Sequence, residues 1–278
     1  MRLTEPKTHA LTDEQHAAYE KDGYLILRGF FDGERVSTIR NFFDTLAAEG
    51  KPVPGHWEPE TGPETNGNPL KRYPRVMMPH RFHSITRDVL LDQRLREVLS
   101  ALFGEEPIAT QSMFYYKPPG ALGQALHQDN FYLRVKPGTC VAAWIAIDRT
   151  RPENGGLYVV PGTHKMSVIC PEKADASKSF TTELVRLPPG TKAVPVNMEP
   201  GDVLFFNGNV IHGSPPNRSK TTWRKSLINH YIPFSSTHVS KYYHPLLDFS
   251  GNTVQREFVH NGGPCGTEAP VGSYGKWH

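Results

Sequence analysis

The sequence predicts a mostly β fold with flanking helices, in which a helical layer packs on an antiparallel double-sheet barrel. Three observations predict it. Helical periodicity is confined to about the first 105 residues, and six short extended runs follow. The 25 Pro and 24 Gly interrupt those runs one by one and do not gather into a single tract.

The elements follow in order. Thr12-Asp13-Glu14-Gln15 reads as a capping box, with a hydroxyl and an amide able to satisfy free backbone donors, so a short helix to about Asp22 is expected. Tyr24-Leu25-Ile26-Leu27 after Gly23 reads as a strand. Val36, Ile39, Phe42, Phe43 and Leu46 then recur at helical spacing up to a stop at Gly50. Residues 51–79 are rich in Pro, Gly, Asn and Glu without a sustained period, which is long for a structureless loop and suggests a lid-like excursion. A single helix is expected from about Thr86 to Phe103, because Val89, Leu90, Leu95, Val98, Leu99 and Leu102 share a face before Gly104. Beyond it, 108–117, 139–147, 157–160, 192–196, 203–206 and 225–233 are short extended runs separated by Pro- and Gly-rich turns. With no internal repeat, the chain reads as one domain (1–278): a helical flank 1–105, a barrel core 106–235 and a C-terminal tail 236–278.

Composition excludes several function classes. Of 278 residues 37% are apolar, enough for a sizeable core. Lys plus Arg number 31 against 28 Asp plus Glu, and the basic residues are scattered, so no nucleic-acid partner is expected. The first fifteen residues lack the apolar core of a secretory signal, and no window approaches the roughly 18 apolar residues of a membrane span. A cytoplasmic location is the default expectation. Cys140, Cys170 and Cys265 are far apart, odd in number and without CxxC spacing, so reduced thiols are expected and neither a disulfide nor a thiolate zinc site is indicated.

His127-Gln128-Asp129 carries the chemistry. In an extended segment, residues i and i+2 project from one face, so an imidazole and a carboxylate could reach one metal ion. His212, following the apolar run at 203–206, could supply the third ligand. Two His and one carboxylate on one face of an octahedron leave three positions open, which suits Fe(II) oxygenases. Alone, HxD is a weak motif, and the remaining histidines, His9, His230, His260 and His278 among them, read as surface or core residues. Arg224 lies 12 residues beyond His212 at the start of the next extended run, where a guanidinium fork could take a carboxylate in bidentate fashion. Lys225 and Arg218 compete for that role.

With these residues in view, the sequence resembles the phytanoyl-CoA dioxygenase family of Fe(II)/2-oxoglutarate enzymes over almost its whole length. The resemblance rests on Asp22-Gly23-Tyr24, Tyr116-Lys117-Pro118-Pro119-Gly120, His127-Gln128-Asp129, Ala143-Trp144-Ile145-Ala146-Ile147-Asp148, Asn154-Gly155-Gly156-Leu157, Val160-Pro161-Gly162-Thr163-His164, His212-Gly213-Ser214 and Arg224, in the family's order. It implies a double-stranded β-helix (jelly roll, cupin-like) core. It also implies His127, Asp129 and His212 as iron ligands, Arg224 and Ser214 on the distal carboxylate of 2-oxoglutarate, and Lys117, Trp144 and Gln128 in the cosubstrate pocket. Gln128 sits between two ligands, which directs its side chain to the opposite face. The turns at Asn154-Gly155-Gly156 and Pro161-Gly162 are better explained by backbone conformation than as ligands. Because Asp129 is a carboxylate, halogenation is disfavoured and O2-dependent hydroxylation with release of succinate and CO2 is implied.

The substrate is expected to be a small polar or anionic metabolite, and the protein a monomer or homodimer with no membrane partner. Arg75, Arg134, Asn130 and Tyr132 are the candidate substrate residues, with Arg72 and Arg81 as further cations of the excursion 51–83. Two other readings stay open: other oxidative outcomes such as desaturation or cyclisation, and a non-catalytic jelly-roll binding protein. A zinc hydrolase or isomerase on a similar barrel would use the same ligand types.

Overall fold

The computed structural model describes residues 11–65, 67–259 and 265. His9, His260, His278 and the tail beyond residue 259, apart from Cys265, lie outside the described residues. In chain order the elements are α1 (Asp13–Asp22), β1 (Tyr24–Leu27), α2 (Gly33–Glu49), α3 (Pro69–Arg72), β2 (Val76–Met77), α4 (Ser84–Leu90), α5 (Gln93–Phe103), β3 (Pro107–Tyr115), β4 (Gln124–His127), α6 (Asn130–Leu133), β5 (Val141–Ala146), β6 (Tyr158–Val159), β7 (Glu172–Lys173), β8 (Glu183–Leu184), β9 (Val194–Pro195), β10 (Val203–Asn207), β11 (His212–Ser214), β12 (Ser226–Pro233), β13 (His238–Val239), β14 (Leu246–Leu247), β15 (Thr253–Val254) and β16 (Glu257–Phe258).

Local chemistry accounts for the helix ends. Thr12 accepts from the Gln15 amide at 3.2 Å while the Gln15 side chain accepts from the Thr12 amide at 2.9 Å, so the capping box forms as expected. The helix expected from Thr86 to Phe103 is divided: α4 ends at Leu90, and Asp92 caps α5 by accepting from the Arg94 amide at 2.9 Å. Apolar periodicity runs through the break because both helices bury one face on the same core, so the period alone hid it.

Two sheets form the barrel. The larger has eight strands in the order β1-β10-β5-β12-β3-β14-β15 with β2 beside β3, and the smaller runs β4-β11-β6-β9, all paired antiparallel. The large sheet takes β1 and β2 from the expected helical flank and β14 and β15 from the expected tail, so the boundaries at 105 and 235 do not delimit it. Its strands are apolar in continuous runs because both faces are covered. On β5, Ala143 and Ile145 face outward onto Ile39, Phe43, Leu95 and Leu99 of α2 and α5, while Ala142 and Trp144 face inward with Phe206, Ile228 and Val159.

Two expectations are corrected by the chain's path. Residues 51–83 are not a detached loop: Trp57 is buried in the outer core, the Met77 amide donates to His56 O at 2.8 Å, and His56 Nδ1 donates to Met77 O at 2.7 Å. The cysteines are not all free, since Cys170 and Cys265 are joined as a disulfide with Cα atoms 5.4 Å apart. Large sequence separation, 95 residues, concealed a pairing that only the folded chain creates. No helix among the described residues is long and apolar enough to cross a membrane.

The outer core makes a direct stability prediction. Phe43 is fully buried and stacks on Phe114 of β3, with ring centroids 3.6 Å apart. Phe43→Ala is expected to cost about 3–5 kcal/mol, read as a lower urea midpoint with an unchanged slope.

Candidate active site

Between the two sheets lies a cavity of about 710 Å³. At one end His127, Asp129 and His212 converge, each buried, with one ligand atom from each lying within 4.8 Å of the others. Strand register makes this convergence. His212 of β11 pairs directly with His127 of β4, which sets the two rings 4.2 Å apart. Gly213 is required here, because a Cβ on it would stand 2.8 Å from Gln124 O.

Asp129 arrives by another route than the expected extended i, i+2 geometry. His127 is the last residue of β4, and Asp129 has helical backbone (φ −62°, ψ −34°) at the entrance of α6. Its carboxylate caps no helix amide, which leaves it directed at the imidazoles: Oδ1 is 3.5 Å from Nε2 of both His127 and His212.

Each ligand histidine has its tautomer fixed. Nδ1 of His127 faces Ala125 O at 2.8 Å, and Nδ1 of His212 faces Val210 O at 3.0 Å. Carbonyls only accept, so both Nδ1 atoms carry the proton and both Nε2 lone pairs point at the common centre. Burial pushes the His212 imidazole down to about 4, which keeps it in the neutral, ligating form near pH 7. Burial opposes ionisation of Asp129, but the surrounding imidazoles of His212, His230 and His127, with the hydrogen bond donated by His230, outweigh it and hold the carboxyl well below the usual carboxylate range. The donor set, two imidazoles and one carboxylate, fits a divalent iron of the facial-triad type.

His230 is the residue that the sequence did not single out. It is buried on β12, and its Nε2 donates to Asp129 Oδ2 at 2.9 Å. One carboxylate oxygen is thereby occupied and the other is left for the metal centre. Two-residue periodicity puts His230 on the face of Ile228 and Ser226, but nothing in the sequence says that this face is the inner one.

The other end of the cavity concentrates positive charge. Lys117 Nζ donates to Ser214 Oγ at 2.7 Å, while Arg224 donates to Gly155 O at 3.2 Å and to Ser226 Oγ at 2.9 Å, its guanidinium 5.4 Å from the Trp144 ring. Both cations are buried, and neither has a carboxylate within ion-pair distance among the described residues. Burial, helped by the neighbouring Arg224, pushes Lys117 well below its ordinary value, and burial brings Arg224 down to about 10. Lys117 also holds a left-handed backbone (φ 37°), an unfavourable conformation for a side-chain-bearing residue that marks a constrained position. Gly155 accommodates it, since a Cβ there would lie 2.5 Å from Lys117 Cε.

Trp144, Ser214 and Arg224 line the cavity together with the three convergent residues, and so do Arg75 and Tyr132. Gln128, Asn130, Arg134 and Lys117 do not; Lys117 meets the lining only through Ser214. Gln128 is directed away: its Nε2 donates to Asn209 O at 2.8 Å and its Oε1 accepts from the Ile169 amide at 2.7 Å, tying two loops behind the site. Asn130 Oδ1 accepts from the Val135 amide at 3.0 Å, and Arg134 ends α6 in a left-handed conformation (φ 56°). Both shape the turn after α6, which an extended reading of this segment could not foresee.

A family model of phytanoyl-CoA dioxygenase (PhyH) matches residues 19–226. The chain belongs to the phytanoyl-CoA dioxygenase family. Phytanoyl-CoA dioxygenase 1 of Oryza sativa subsp. japonica is 24% identical over 268 residues, covering 85% of this chain and 94% of that protein. Methylphosphonate hydroxylase of Gimesia maris is 28% identical over 220 residues, covering 76% of each chain. Among solved structures, EctD from S. alaskensis with 2-oxoglutarate and 5-hydroxyectoine superposes with a TM-score of 0.64 at 22% identity, covering 84% of this chain and 82% of that one. The carbocyclase SnoK from nogalamycin biosynthesis gives 0.63 at 22% identity, covering 84% and 89%. These structures share the jelly-roll fold. As a family member the chain is an oxygenase of the iron and 2-oxoglutarate type.

The Asp129–His230 contact makes a prediction for metal binding. His230→Ala is expected to weaken Fe(II) or Co(II) affinity by about 10–100-fold, the usual effect of removing a hydrogen bond that orients a metal-ligating side chain. His230→Gln, which keeps an N–H donor, should recover part of the loss. Competition titration with a chelating dye measures both.

Proposed function

We propose that this protein is an Fe(II)- and 2-oxoglutarate-dependent hydroxylase of a small molecule, with His127, Asp129 and His212 holding the iron and Arg224, Lys117 and Ser214 holding the distal carboxylate of 2-oxoglutarate. The main support is that one cavity joins a two-His, one-carboxylate cluster to the buried Arg224, with the buried Lys117 behind Ser214 of the same wall, and neither cation has a carboxylate partner among the described residues. Buried charge is costly unless it is paired. A dianionic cosubstrate that binds metal at one end and meets Arg224 and Lys117 at the other answers both requirements.

Iron, when bound, couples O2 activation to decarboxylation of 2-oxoglutarate and supplies the oxidant. Each protein group then has a separate task. Arg224 presents a planar fork whose Nε and Nη1 are already held by Gly155 O and Ser226 Oγ, so its remaining N–H donors are oriented before the cosubstrate arrives. Lys117 and Ser214 form a second, hydrogen-bonded donor pair. Trp144 and Ile228 enclose the carbon chain with apolar surface, and the covered sheet keeps water from a reactive centre. Asp129 occupies the position that a carboxylate ligand must fill for hydroxylation, and His230 keeps it oriented.

The reading is tested by succinate formation from 2-oxoglutarate with added Fe(II) and no further substrate. Slow turnover is expected in the wild type and none in His127→Ala. Arg224→Ala should raise the KM for 2-oxoglutarate at least tenfold, about what one lost charged hydrogen bond gives, and Arg224→Lys should fall between. Turnover supported by zinc without O2 would overturn the assignment in favour of a hydrolase or isomerase.

A further inference from the structure

We infer that the cavity takes a largely apolar substrate bearing a hydrogen-bonding oxygen or nitrogen, and that the Gln111 amide holds that polar atom beside the metal end. The inference rests on the iron and 2-oxoglutarate reading and names the substrate class for that site. It differs from the small polar or anionic metabolite expected from the sequence.

Size comes first. A cavity of about 710 Å³ is several times what a five-carbon diacid occupies, and falls in the range that encloses organic ligands of roughly 20–30 non-hydrogen atoms. Away from the metal part of its wall is apolar: Met77 of β2, Met113 of β3, Phe131 and Leu133 of α6, and Tyr243. Met77 and Met113 are direct strand partners, so two flexible thioether side chains form one continuous patch able to mould around a bulky body.

The charged groups of this wall are already engaged. Arg75 donates to the Tyr115 hydroxyl at 3.0 Å and lies over the Tyr115 and Phe180 rings at 5.4 and 5.0 Å, while its Nε is enclosed without a partner. Arg81 donates to His244 O at 2.8 Å and Tyr243 O at 3.3 Å. Across the cavity the β7–β8 hairpin contributes charges of both signs, Lys173 beside Glu172 and Glu183, with Glu172 paired to Arg186 at 2.7 Å, so the hairpin offers an anionic substrate no net positive charge.

Gln111 differs from all of these. Only 5% exposed, it lies on the inner face of β3 in register with His230, the residue that orients Asp129. It lines the cavity, and its amide makes no hydrogen bond to any described residue. An amide that faces a cavity without a protein partner is open to a ligand, and once a ligand displaces water from it, it discriminates strongly between ligands that satisfy it and those that do not. Its position over the carboxylate ligand places the substrate's polar atom near the carbon to be oxidised.

The test screens the Fe(II)- and 2-oxoglutarate-loaded protein for stimulated succinate release. One set of probes contains uncharged polycyclic and long-chain compounds with hydroxyl or carbonyl groups; the other contains methylphosphonate and similarly small acids. Stimulation of at least about tenfold is expected from a member of the first set only. Stimulation by the small acids alone, or by neither set, overturns the inference about substrate class. Absence of any His127-dependent succinate without a probe overturns the cofactor reading instead. For the best probe, kcat/KM is then compared with that of its analogue lacking the polar atom. The wild type should prefer the polar compound by about 10–100-fold, and Gln111→Leu should bring that ratio close to one. A variant that slows both compounds equally and keeps the ratio shows Gln111 to be merely structural, and overturns its role.

Discussion

Charge buried between two sheets is the constraint on which the rest of this structure depends. Asp129, Lys117 and Arg224 all lie inside a barrel whose other inner residues are Trp144, Leu204, Phe206 and Ile228. Ionised groups in such surroundings lose hydration worth several kcal/mol each unless hydrogen bonds and counter-charges replace it. The negative end is answered within the chain, by three imidazoles around one carboxylate. The positive end is answered only in part, by Ser214, Ser226 and the carbonyl of Gly155. That asymmetry is a binding site in energetic terms: the fold tolerates two cations whose full compensation comes with an anionic ligand.

The outer half of the molecule supports that cost. Helices α2 and α5 cover the outer face of the large sheet with Ile39, Phe43, Leu95 and Leu99, none of them accessible to solvent. Because apolar burial is roughly proportional to area, this layer supplies the favourable term that an interior holding charged groups cannot supply for itself. It also fixes the sheet rigidly, and Tyr116 donates its hydroxyl to Phe43 O at 2.8 Å immediately before the strained Lys117. The helical layer and the cosubstrate site are thus joined by adjacent residues.

What the sequence reveals follows from the range of the forces involved. Local signals were legible: the Thr12 capping box, the Gly50 stop, and the apolar runs of β3, β5, β10 and β12. His127, Asp129, His212, Ser214 and Arg224, singled out for their types and order, line one cavity. Gln128 was misplaced by motif adjacency, whereas its neighbours in space are Asn209 and Ile169. His230 and Gln111 could not be found, since each looks like any polar residue in a strand until register makes them partners. The Cys170–Cys265 pair and the break at Asp92 were hidden for the same reason, as both are decided by tertiary packing and not by a local pattern.

Strand β12 shows how much chemistry one register can carry. Its inner face presents Ser226 to Arg224, Ile228 to the space between, and His230 to Asp129, two residues apart each time. Its outer face presents Leu227 and Tyr231 to the helical layer. A slip of one residue would exchange the faces, placing Leu227, Asn229 and Tyr231 in the cavity and exposing a serine and a histidine to the apolar outer core. Such a slip would lose the cosubstrate end, the metal end and the outer packing together. Pairing with β3 on one side and β5 on the other forbids it, as each neighbour has its own covered outer face. The distance between the His127, Asp129 and His212 cluster and Arg224 is therefore not set by the segment that carries Arg224 alone. It is set by the repeat of a central strand held on both edges, which leaves residues 55–81 and the β7–β8 hairpin to vary with the substrate while the chemistry stays fixed.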